Sequence, residues 1–287
     1  MMPQRWNGHQ SGLAAILLAA FLWSTGGLFI KLIHIDAQAI LSLRALFAAL
    51  LFAVLFWKKV WQWSWNILLV SICYAGLVSC FVVATKITTA ANAIFLQYTA
   101  PIYLILLEPL LFRHRVKRIN TITVVVCFVG MALFFVGDLQ MGDMRGNLLA
   151  LLSGVFLAGM MLAQRFNPPE RHEAAIFQGN LLVFLGFFPF VLQGQAPTGA
   201  DWAMLAFLGF IQLGSGYVLF TYGLKRVSAL EGSLVAMLEP VLNPVWVFIG
   251  YGEQPAPTAI VGGLIIVGML AYRTIVQDTG KGSAPSA

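Results

Sequence analysis

Glu239, Pro240, Asn243 and Trp246 are the residues of this 287-residue sequence whose types and spacing come nearest to a chemical site. The acid stands near the middle of a long apolar run, where an ionisable group is costly and marks function by default. Proline has no N–H, so Pro240 in a helix leaves the carbonyl one turn earlier without its bond, and a second polar group appears beside the carboxylate. Spacings of four and seven residues put Asn243 and Trp246 on the same helix face as Glu239. Such a face suits an ammonium group carrying an apolar side chain. It suits an interhelical hydrogen-bond anchor equally well, and both readings stay open.

A second polar group lies in the first half of the chain. Arg44 stands about 10 Å of helix rise inside another apolar run, where structural pairing with a carboxylate or with backbone carbonyls is the expected role and substrate contact the other use. Gln97, Pro101, Leu104 and Glu108 recur at helical spacing, with Tyr98 beside them, so one face of that helix is more polar than its neighbours. Glu108 comes five residues before Arg113 and is expected in an interfacial ion pair. The expected cavity residues are Trp23, Tyr74, Ser79, Tyr98, Gln164, Gln212, Tyr217, Glu239, Asn243 and Trp246, with Arg44, Pro101, Glu108 and Pro240 as structural or gating residues.

Other chemistries find no constellation. Cys73, Cys80 and Cys127 lie singly in apolar runs without zinc-ligand spacing, and His9, His34, His114 and His172 fall in loops or tails. No phosphate-loop pattern occurs. The sequence therefore implies no catalytic residues, no metal, no cofactor and no enzyme activity.

The elements that must hold these residues are apolar. Of the chain, 60% is hydrophobic and 10% charged, too few ions to cover a soluble globule, for which about 25% charge is usual. Ten stretches of about 20 residues read as transmembrane helices: 12–33, 37–57, 65–85, 91–112, 119–137, 146–163, 173–193, 202–222, 228–250 and 257–276. The first is too long for a signal-peptide core and reads as a retained helix. With the N-terminus inside, 13 of the 17 Lys and Arg fall on the cytoplasmic side, three fall outside and Arg44 lies within a span. That bias predicts a multi-pass protein of a bacterial inner membrane with both termini cytoplasmic, and makes the net charge of +6 topological, with no nucleic-acid partner implied.

Shifting the chain by 139 residues lays Lys86 on Lys225, Ala90 on Ala229 and Pro101 on Pro240. The reading is two repeats, 1–140 and 141–287, the second ending in a cytoplasmic tail. Five spans in each makes the copies inverted, an arrangement that supports alternating access.

These residues carry a family resemblance. ALEGSLVAMLEPVLNPVWVFIGYGEQPAPTAIVGGLIIVGML, from Ala229 to Leu270, resembles the EamA domain of the drug/metabolite transporter superfamily. QYTAPIYLILLEPLLF (Gln97 to Phe112) and LSLRALFAALLF (Leu41 to Phe52) fit the first copy, and Glu253 matches the acid before each repeat's last helix. Among ten-span members the chain is most similar to the YddG-type amino acid exporters. The resemblance implies an all-α integral membrane protein, a basket of two inverted five-helix repeats around a central cavity lined mainly by helices 1, 3, 4, 6, 8 and 9. It also implies a secondary transporter that exports amino acids, apolar and aromatic or broad in range, by alternating access. The alternatives are export of cationic drugs, nucleosides or other small metabolites and, distantly, a membrane enzyme. The expected partners are a small-molecule substrate and the lipid bilayer, with the chain a monomer or homodimer.

Overall fold

The computed structural model describes residues 7–88, 90–113, 116–135, 144–251 and 257–281, and every regular element among them is helical. Glu253 lies outside the described residues. In chain order the helices are α1 (Gly8–Ser24), α2 (Gly26–Leu32), α3 (Ala37–Leu55), α4 (Trp65–Ile87), α5 (Ala90–Gln97), α6 (Ala100–Phe112) and α7 (Arg118–Phe135). The second half holds α8 (Met144–Phe166), α9 (His172–Gln193), α10 (Gly199–Ala206), α11 (Gly216–Leu224), α12 (Ala229–Ala236), α13 (Leu238–Tyr251) and α14 (Pro257–Lys281). A π-helical segment, Phe207–Ser215, joins α10 to α11.

Polar residues between the apolar runs set where helices start. Asn7 accepts from the Gln10 N–H at 2.8 Å while the Gln10 side chain accepts from the Asn7 N–H. Thr198 with Asp201, and Ser228 with Glu231, repeat that reciprocal pair ahead of α10 and α12. Each pair satisfies first-turn amides that apolar surroundings leave without water. Outside, large apolar side chains face away from the protein. Val54 is 78% exposed, Leu110 76% and Leu192 72%, a pattern suited to hydrocarbon. Trp57, Trp61, Trp63 and Trp65 stand exposed together where α3 turns into α4, the position of an interfacial aromatic belt.

The expectation of ten transmembrane helices is overturned. Among the described residues seven helices are long and apolar enough to cross a membrane: Gly8–Leu32, Ala37–Leu55, Trp65–Ile87, Met144–Phe166, Pro169–Gln193, Gly199–Leu224 and Ala229–Gly250. Three apolar helices are shorter: Ala100–Phe112, Arg118–Leu133 and Ile260–Arg273. The first, at 13 residues and 1.5 Å of rise per residue, reaches about 20 Å, short of a hydrocarbon layer about 30 Å thick; the other two are stretches of α7 and α14. The stretch read as one helix over 91–112 is interrupted at Tyr98 and Thr99, because Pro101 has no N–H to offer the carbonyl of Gln97. The fivefold count in each half, and the inversion deduced from it, lose their premise with a count of seven among the described residues.

The interruption recurs 139 residues later. α5 and α12 are both eight-residue helices, each followed by a break and a proline-bearing helix. α6 packs on α12 and α13 meets α5, so the two broken helices lie against each other in the middle of the molecule.

The π segment positions α3. A Cβ on Gly209 would stand 2.3 Å from Phe47 Cβ and 2.7 Å from the backbone oxygen of Arg44, so α3 and the π segment touch backbone to backbone at Arg44. Gly209→Ala is expected to lower stability by about 1–3 kcal/mol, the cost of forcing an extra carbon into a packed contact. Thermal unfolding of the purified protein in detergent checks it, and an unchanged melting temperature contradicts the close approach.

Candidate functional site

A cavity of about 50 Å³ lies beside the two broken helices, and eight residues singled out from the sequence line it: Trp23, Arg44, Gln97, Tyr98, Pro101, Gln212, Tyr217 and Glu239. Apolar side chains that carried no sequence signal complete the wall, among them Leu77, Phe81, Leu157, Met161 and Phe220. Ordinary core positions and cavity positions look alike in an apolar sequence, so nothing distinguished them.

Proline chemistry builds the first polar cluster. Pro240 cannot donate to Ala236, whose carbonyl stands free at the break between α12 and α13. The hydroxyl of Tyr98, at the matching break between α5 and α6, fills that gap: it lies 2.7 Å from the Ala236 oxygen and 2.6 Å from Glu239 Oε2. A phenol has one hydrogen. Both contacts are hydrogen bonds together when Tyr98 donates to the carbonyl and Glu239, in its acid form, donates to Tyr98; with Glu239 ionised, carbonyl and carboxylate compete for one donor. Tyr98 and Glu239 are 2% and 6% exposed, so water does not serve either of them freely.

Arg44 supplies the opposite charge. It is 3% exposed, lines the cavity, and has no hydrogen-bond or ion-pair partner among the described residues; its Nε is buried and unbonded. The structural pairing expected for it is not formed. Two further polar atoms in the wall are in the same condition: Trp23 Nε1, a donor, and Gln212 Oε1, an acceptor, whose own Nε2 donates to the Trp23 carbonyl at 3.1 Å. Buried groups of this kind are normally bonded, and an exception calls for an explanation. One side of the site therefore offers spare donors, Arg44 and Trp23. Glu239 and Gln212 offer acceptors.

The remaining candidates go elsewhere. Tyr74 donates to Asn180 Oδ1 at 3.0 Å and packs its ring 4.7 Å from that of Tyr217, which makes it a support behind the wall. Asn180 sits in a helix that the family resemblance places away from the lining. Ser79 is half-buried on α4 and Gln164 lines a different cavity. Asn243 approaches α2, where its amide would meet a Cβ on Gly27 at 2.6 Å, and Trp246 donates to Ser24 Oγ at 2.7 Å. These two share a face with Glu239 but lie further along α13, where the first helix breaks at Thr25 between α1 and α2.

At one end of the molecule the acids are paired. Glu108, fully buried, pairs with Arg165 of α8 and accepts from the Leu230 N–H in the first turn of α12 at 3.3 Å. The partner from the neighbouring helix replaces the nearby Arg113, which ends α6 in a left-handed turn (φ 51°). Lys225 donates to Glu173 at 2.5 Å, and Arg273 and His9 both reach Glu231. Glu108→Leu leaves a helix-terminal amide and a cation without their acceptor, and an expected cost of about 1–3 kcal/mol follows. Glu108→Gln, which keeps an oxygen for Leu230, should recover part of it when both variants are melted side by side. Among the described residues no three His, Cys, Asp or Glu side chains come together as a metal site.

Comparison with known proteins places this arrangement. The family model described as the EamA-like transporter family matches the chain twice, over residues 10–136 and 144–272. An uncharacterized transporter of Archaeoglobus fulgidus is 24% identical over 269 residues, 91% of this chain and 96% of that protein. The biotin transporter of Escherichia coli K12 is 25% identical over 193 residues, 63% of this chain and 64% of its own length. A crystal structure of a protein with 19% sequence identity shares the fold, with a TM-score of 0.78 over 93% of this chain and 98% of its own.

Proposed function

Because this chain belongs to the EamA-like transporter family of the drug/metabolite transporter superfamily, we propose that its central cavity carries amino acids, apolar and aromatic or broad in range, outward across a bacterial inner membrane. The protein is a multi-pass membrane protein and a secondary transporter, not an enzyme.

One observation carries the substrate class: an unpaired buried guanidinium, Arg44, and a buried acid, Glu239, line the same cavity. A zwitterion brings a carboxylate for the first and an ammonium for the second, and each pairing is a charge-assisted hydrogen bond. Aromatic walls from Trp23, Tyr217 and Phe220 receive an apolar side chain.

At about 50 Å³ the cavity takes roughly three or four waters, and an amino acid needs more. Binding therefore requires widening. The breaks at Thr25, at Tyr98 and Thr99, and at Met237 are the natural pivots, since each lies in a helix bordering the cavity. In this reading 1–140 and 141–287 are two related units that rock against each other to give alternating access, and the paired acids at one end hold that side closed. The paired family matches and the 139-residue recurrence of the broken helix support two units.

The relative named as a biotin transporter favours a second reading, a metabolite with a carboxylate and no ammonium. Counterflow in proteoliposomes separates them: vesicles are preloaded with unlabelled methionine, tryptophan, threonine or biotin, and uptake of the labelled counterpart is followed. Saturable exchange of an amino acid supports the first reading; exchange of biotin alone replaces it with the second.

A further inference from the structure

A second cavity, of about 380 Å³, lies at the ion-paired end among α8, the turn at Pro169–Arg171, the start of α9 and the chain from α11 into α12. Its inner wall holds Gln164, Asn167 and His172, which are 3%, 4% and 4% exposed. Each spends one polar group on the protein and leaves another without a partner among the described residues. Gln164 Nε2 donates to the His172 carbonyl at 3.3 Å, leaving Oε1. Asn167 Nδ2 donates to the Asn66 carbonyl at 3.4 Å, leaving Oδ1. His172 Nε2 faces the Asn167 carbonyl at 3.1 Å and must carry the hydrogen there, because a carbonyl only accepts; Nδ1 of the neutral ring is then a third spare acceptor.

The cations at the mouth are engaged elsewhere. Arg165 pairs with Glu108, Lys225 with Glu173, and Arg226 lies over the Tyr222 ring at 3.5 Å. Among the described residues the buried unpartnered side-chain atoms of this wall are all acceptors. Met161, 1% exposed, lines this cavity and the central one as well. An unbranched, flexible thioether is a wall that can swing aside at little cost.

We propose that this cavity binds the primary ammonium end of the cargo before or after its stay in the central cavity, with Gln164, Asn167 and His172 accepting its hydrogens and Met161 dividing the two chambers. An ammonium has three donors and no acceptor, which matches three spare acceptors. The identity of the cargo rests on the amino acid reading above, whereas the ammonium site is testable without transport.

The test is thermal unfolding of the full chain in detergent, titrated with methylammonium chloride or, at equal ionic strength, tetramethylammonium chloride. Glu239→Gln is the background, so that the central acid does not contribute. Methylammonium is expected to raise the melting temperature in that background and tetramethylammonium, which has no N–H, is not. Adding Gln164→Leu should weaken the apparent affinity about tenfold, the loss of one hydrogen bond to a charged donor. Gln164→Glu, a less intrusive change that places a charged acceptor at the same point, should strengthen it by a similar factor. Equal effects of the two ammonium salts, no effect of methylammonium, or indifference to both Gln164 variants each overturn the site. Failure of every amino acid in counterflow would remove the cargo and leave this result standing on its own.

Discussion

Arg44→Gln is expected to reduce counterflow of any carboxylate-bearing substrate a hundredfold or more while the protein still folds. Removing one member of a buried charge pair costs about 2–5 kcal/mol, and the cargo would supply the other member. Stability should move the other way or hardly at all, because the native guanidinium is buried without a partner and its removal relieves a desolvation cost. Arg44→Lys keeps the charge but loses the planar fork, so an intermediate activity is expected. The paired measurement is transport rate and melting temperature for the three proteins. A variant that unfolds without losing specific activity would make Arg44 a structural residue after all.

Glu239→Gln has the second large effect, and a selective one. If the acid holds an ammonium, amino acid exchange falls by about tenfold to a hundredfold, the worth of a hydrogen bond between charged groups. Exchange of biotin, which has a carboxylate and no ammonium, should be little changed, since Arg44 remains. Loss of both substrates together would show that Glu239 works on the conformational change and not on the amine. Tyr98→Phe separates the parts further: it keeps the acid and removes the hydroxyl that joins it to the Ala236 carbonyl.

How far the sequence revealed this site depended on the range of the physics involved. The free carbonyl follows from Pro240 alone, and it stands where covalent structure requires, accepting from Tyr98. The depth of Arg44 was legible too. Its lack of a partner was not, because whether an acid shares its level depends on how other helices are stacked. Asn243 and Trp246 lie on the face of Glu239, as their spacing requires, but a face is a stripe along a helix and a cavity is a spot. About 6 and 10 Å further along α13 that stripe meets α2 and α1. Gln164 stood out as a polar residue within an apolar run and His172 only as a loop histidine, and the turn at Pro169–Arg171 brings them to one wall. The helix count failed for a related reason. Apolar runs mark where a chain is greasy, whereas the length of unbroken helix depends on where prolines remove donors and where turns begin.

The single hydrogen of Tyr98 bears on the electrical signature of the transport cycle. With Glu239 in its acid form, Arg44 leaves the empty cavity with one net positive charge; with Glu239 ionised, the two cancel. A zwitterion adds nothing to either total, so its passage moves the charge of the cavity itself, one or none. A lone carboxylate neutralises the cavity in the first state and makes it negative in the second. Each elementary charge carried across 100 mV is worth about 2.3 kcal/mol, enough to bias a cycle nearly fiftyfold. Where that one proton sits therefore decides whether membrane voltage drives the protein, opposes it, or passes it by.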